Sequence, residues 1–116
     1  MSESYDEGIE RLRALVAAFP STRSVTWGRM FNGDGIKLDD AFIAFVGRKG
    51  DLVVKVDAAQ VTDMIASDRG APVTMGTRTM REWVRVDYTS GDELWSRVLD
   101  AAYDFAAAAH QHSHQH

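Results

Sequence analysis

The chain has 116 residues, a formal charge of −4 and no cysteine, which excludes disulfides, thiolate chemistry and the size needed for two ordinary domains. Hydrophobic content of 45% and charged content of 26% are globular values, and a domain of this size buries roughly 65% of its unfolded surface without staples. No apolar run approaches the roughly 20 residues of a membrane helix, and the acidic start Met1-Ser-Glu-Ser-Tyr-Asp-Glu7 lacks the basic and apolar regions of a signal peptide, so a cytoplasmic protein with no membrane contact is expected. Residues 1–19 hold four acids and two bases, and residues 91–116 four acids and one base. The middle is near neutral, without the dense basic patch that nonspecific nucleic-acid binding rests on.

The first element reads as a helix. Ser4-x-x-Glu7 has capping-box spacing, Tyr5, Ile9, Leu12, Val16 and Phe19 form one apolar stripe, and Pro20 ends it. A strand over about Ser24–Met30 follows, with Val25 and Trp27 alternating with Thr26 and Gly28. Asn32-Gly33-Asp34-Gly35 reads as a turn, because glycine takes positive φ freely and Asn and Asp tolerate it. Ile36–Leu38, Ala41–Val46 and Leu52–Val56 are further strands, joined by Asp39-Asp40 and by Gly47-Arg48-Lys49-Gly50-Asp51. Connections of two to five residues join antiparallel hairpins, so these strands read as a meander.

Asp57 has the position of an N-cap, with Gln60 at the reciprocal place. Val61, Met64 and Ile65 are the apolar side of a short helix, with Gly70 as its C′ residue and Pro72 beyond it. Pro72–Met75 reads as an edge strand, Gly76–Thr79 as a turn, and Met80–Tyr88 as a longer strand. Val84, Val86 and Tyr88 are placed on one face of that strand, Trp83, Arg85 and Asp87 on the other. Ser90-x-x-Glu93 is a second capping box, opening a helix whose apolar face runs through Leu94, Trp95, Val98, Leu99, Ala102, Phe105, Ala106 and Ala109. The tail His110-Gln-His-Ser-His-Gln-His116 is low in complexity and is expected to be disordered. The expected architecture is α+β in two layers, an antiparallel meander sheet with helices on one face in the order α-β4-α-β2-α. Residues 1–109 form the single domain, and residues 110–116 an affinity-tag-like extension.

Three words of sequence, Trp27-Gly-Arg-Met-Phe-Asn-Gly-Asp-Gly-Ile36, Asp51-Leu-Val-Val-Lys-Val56 and Arg78-Thr-Met-Arg-Glu-Trp83, resemble the TfoX N-terminal domain family over about Tyr5 to Ala108. The resemblance implies a two-layer α+β domain. Members of the full type add a C-terminal helical domain and regulate natural competence; the present sequence stops after one domain and is expected to lack the second. It also has Asn32 where the family commonly shows glycine. YjbR-like proteins, more distantly similar, are sometimes described as DNA-binding.

None of these words is a catalytic signature. The Gly-x-Gly of the turn motif Met30, Phe31, Asn32, Gly33 and Gly35 leads into a strand, whereas a dinucleotide cradle opens a helix. Asp34, Asp39 and Asp40 lack the spacing of a calcium loop. His110, His112, His114 and His116 can chelate a transition metal adventitiously, but no ordered metal site and no cofactor is expected. Arg78, Arg81 and Arg85, with Arg29 and Lys55, are expected to gather on one sheet face with Trp27 and Trp83 interleaved. Trp27, Arg29, Arg78, Arg81, Trp83 and Arg85 are thus the candidate interaction surface. The expected role is a non-enzymatic regulatory or protein-binding module with an unknown protein partner. A homodimer through an uncovered edge strand is admitted, a DNA-binding or small-molecule-binding role is the alternative, and nucleic acid is disfavoured.

Overall fold

A computed structural model describes residues 2–20, 23–30 and 33–114; of residues 2–4, 30, 75 and 110–114 only the backbone is described. The elements are α1 (Ser2–Ala17), β1 (Thr26–Met30), β2 (Gly33–Leu38), β3 (Ala41–Val46), β4 (Leu52–Lys55), α2 (Ala58–Ala66), β5 (Ala71–Met75), β6 (Arg78–Val86), a single 3₁₀ turn (Tyr88–Ser90) and α3 (Asp92–His114). All strand pairs are antiparallel, in the order β1-β2-β3-β4-β6-β5. The meander therefore runs only from β1 to β4. The chain then crosses by way of α2, and β6 rather than β5 lies beside β4.

One row across the sheet, Trp27–Ile36–Ala44–Val54–Val84, follows from the pairing register. Its inner members pack with Ile9 and Leu12 of α1, Val61 and Met64 of α2, and Trp95, Val98, Leu99 and Ala102 of α3. The three helices therefore share one face, and among the described residues no helix covers the opposite face. A bulge between Ile36 and Lys37 pairs Ile36 with Ala44 and Lys37 with Phe42. Ile43 is the extra residue and turns into the core, 1% exposed, against the simple alternation of its strand.

Several local expectations shift for identifiable reasons. Gly33 and Gly35 belong to β2 and not to a turn. Neither has a positive φ; what they supply is close approach, since a Cβ on Gly35 would lie 2.5 Å from the Ala44 carbonyl oxygen. Phe31 and Asn32, and the side chain of Met30, lie outside the described residues. Asp57 caps α2 as expected, its carboxylate accepting from the Ala59 amide at 2.7 Å. The far end of α2 is closed at Asp68 (φ 62°), with the Arg69 amide bonded to the Met64 carbonyl at 2.8 Å, so the left-handed residue is Asp68 and not Gly70. Gly70 instead passes close to Val84, and Ile65 is exposed.

β6 is displaced from the expected strand and ends at Val86. Tyr88 and Ser90 lie in the 3₁₀ turn, and α3 begins directly after Gly91 (φ 97°), so Ser90 is not its cap. At its other end α3 continues to His114, into the stretch expected to be disordered. An alanine-rich helix extends readily because each added residue closes one more bond at little entropic cost.

Candidate interaction surface

The helix-free face is built from the residues of β4 and β6 that point away from the core. Val53 pairs with Arg85 and Lys55 with Trp83. Phe45 on β3 pairs with Val53, so Phe45 and Trp83 stand on the two strands flanking β4. Their rings approach to 5.8 Å between centroids. This aromatic arch over β4 accounts for the 5% exposure of Val53 on a face without helices.

Beside the arch, a broad groove of about 820 Å³ is lined by Lys55, Ala58, Arg78, Arg81, Glu82 and Trp83, among others. Lys55, Arg78 and Arg81 have no ion-pair partner among the described residues, and Glu82 is the groove's one acid. Arg85 differs, with its Nε 3.5 Å from Asp51. The groove thus offers an aromatic edge and three cations that form no ion pair among the described residues, with Glu82 beside them.

The expected single surface is in fact two. Lys55, Arg78, Arg81, Trp83 and Arg85 fall together along β4 and β6. Trp27 stands in the row of Ile36 and therefore on the helix side, and Arg29, two residues on, shares that side. There the Arg13 guanidinium of α1 lies 5.8 Å from the Trp27 ring centroid, and Arg29 Nε is 3.6 Å from Asp34. Arg13, Trp27, Gly28 and Asp34 line a second, shallow groove of about 460 Å³, and the Asp34 amide donates to the Tyr5 hydroxyl at 2.8 Å. Trp27 and Trp83 are separated because strand parity alternates side chains between faces, and only the register of β1 against β2 and of β6 against β4 decides which parity is inside.

Two arginines absent from the expected surface hold the helices in place. Arg11, 14% exposed in its side chain, lies over the Tyr88 ring at 3.6 Å and over the Trp95 ring at 4.9 Å, and pairs with Asp92 at 2.5 Å. Arg23 bonds Asp100 at 2.7 Å and packs over Phe19 and Tyr103. Apart from Phe19, four residues before Arg23, these partners lie 77 or more residues away, so the sequence carries no local signal for the bonds to Tyr88 and Asp100.

Among the described residues no three His, Asp or Glu side chains gather as a metal site, and no helix is long and apolar enough to cross a membrane. The side chains of His110, His112 and His114, and all of His116, lie outside the described residues. No family model matches the chain, and neither a curated protein nor a solved structure matches it.

Proposed function

We propose that the chain is a non-enzymatic regulatory or interaction module that docks an acidic protein segment in the groove beside Trp83. The observation carrying this reading is the juxtaposition of Lys55, Arg78 and Arg81, unpaired among the described residues, with a half-buried tryptophan on paired strands of the sheet. Indole and guanidinium groups on a preordered surface supply contact area at low entropic cost and are enriched where proteins meet. A carboxylate-bearing segment would gain bidentate pairing from the arginines and packing from the indole. The resemblance of Arg78–Trp83 to a word of the TfoX N-terminal family supports a regulatory setting.

The test is a pull-down with residues 110–116 removed, so that the histidine tail cannot retain metal-binding contaminants, comparing the parent chain with Trp83→Ala and Arg81→Ala. A partner with an acidic segment that binds the parent and is released by both substitutions supports the reading. If both variants retain every partner unchanged, the groove is not the docking surface. A gel mobility shift at low salt forms the second arm: retardation of DNA that is lost in Arg78→Glu would move the assignment from protein to nucleic acid.

A further inference from the structure

The sheet has two edges, and only one is defended. On β5, Pro72 removes a backbone donor and a bulge between Pro72 and Val73 interrupts the ladder, the usual devices that discourage another strand from pairing. β1 carries neither. Its five residues pair with β2 in unbroken register from Thr26–Lys37 to Met30–Gly33, and among the described residues no other backbone group bonds to it. Met30 and Gly33 close the hairpin and so exchange both bonds; alternation then leaves the N–H and C=O groups of Trp27 and Arg29 pointing outward. These same two residues carry prominent exposure: Trp27 is 41% exposed, and the Arg29 side chain 81%.

We propose that β1 is a self-association edge, pairing antiparallel with β1 of a second copy about a two-fold axis through Gly28. That register is self-complementary. Trp27 stands opposite Arg29 of the second copy, and Arg29 opposite its Trp27, giving two symmetric indole–guanidinium pairs. The glycines meet on the axis with no side chains between them. Asp34, already 3.6 Å from Arg29, balances the added positive charge on each side. An axis normal to the sheet keeps both helical layers on one side, so the two helix-free faces become one continuous surface and the grooves beside Trp27 meet across the junction.

Sedimentation equilibrium of the full chain tests this. A mass rising towards twice 12.9 kDa with concentration is expected. Arg29→Pro, which removes only an outward N–H, and Trp27→Lys, which sets like charges opposite each other, should each weaken dimerisation at least about tenfold. The exchanged double variant Trp27→Arg, Arg29→Trp restores both pairs across the axis and should recover the dimer. If Arg29→Pro disturbs the hairpin, as judged by circular dichroism, Trp27→Lys and the exchanged variant decide. A chain that stays monomeric to several hundred micromolar, or a dimer indifferent to these substitutions, overturns the proposal.

Discussion

Arg11 grips Tyr88 twice: its Nη1 donates to the Tyr88 carbonyl oxygen at 2.6 Å while its guanidinium lies 3.6 Å from the centre of the Tyr88 ring. The Tyr88 ring in turn meets Trp95 edge-on at 5.9 Å, and Trp95 Nε1 donates to the Asp87 carbonyl at 3.0 Å. One side chain from the first helix therefore fixes the turn through which the sheet passes into the last helix.

Arg11→Met, which keeps most of the stem, should destabilise the fold by about 2 kcal/mol. It removes a charge-assisted bond to a part-buried carbonyl and two cation–π contacts. Asp92→Asn should cost under about 1 kcal/mol, since Asp92 is 72% exposed and its pairing is screened. Urea denaturation compares the two. Equal losses would mean that the salt bridge, and not the aromatic cradle, carries the effect.

Gly8 lies in α1, where alanine would ordinarily gain about 1 kcal/mol of helix propensity. Here a Cβ would stand 2.6 Å from the Gly50 carbonyl oxygen and 2.8 Å from Val46 Cγ1. Gly8→Ala should therefore reverse sign and destabilise by about 2 kcal/mol as α1 is pushed off the β3–β4 connection. A variant melting at or above the parent temperature would show that α1 does not approach the sheet this closely.

Asp68 closes α2 in a left-handed conformation that costs a non-glycine residue about 1 kcal/mol. Asp68→Gly should stabilise by roughly that amount. Gly70→Ala, two residues on, should destabilise, because its Cβ would fall 2.5 Å from Val84 Cγ2. Thermal melts of the pair, with shifts of opposite sign, check the assignment of the cap.

Asp39 and Asp40 both take positive φ, at 52° and 70°, in the two-residue connection between β2 and β3. This is the conformation of the tight hairpin turn that favours glycine at its second position. Asp40→Gly should raise stability by about 0.5–1 kcal/mol, read as an upward shift in the urea midpoint with an unchanged slope. A lower midpoint would indicate that the Asp40 side chain contributes more than its backbone costs.

The α+β class, most of the core and the Asp57 cap were legible in the chain itself, because each depends on a short-range period. Leu52, Val54 and Val56 alternate, Leu12 and Ile9 share a helical stripe, and an aspartate immediately before a helix can reach its first amides. Tertiary structure alone decided that β6 lies beside β4, that Ile43 joins the core through a bulge, that Gly33 and Gly35 serve close packing and not a turn, and that Trp27 and Trp83 face opposite sides. It alone brought Arg11 to Tyr88 and Arg23 to Asp100. The reason is physical: alternation fixes which residues share a face within one strand, but the register between strands determines which face is buried, and that register is set by contacts between residues far apart in the chain.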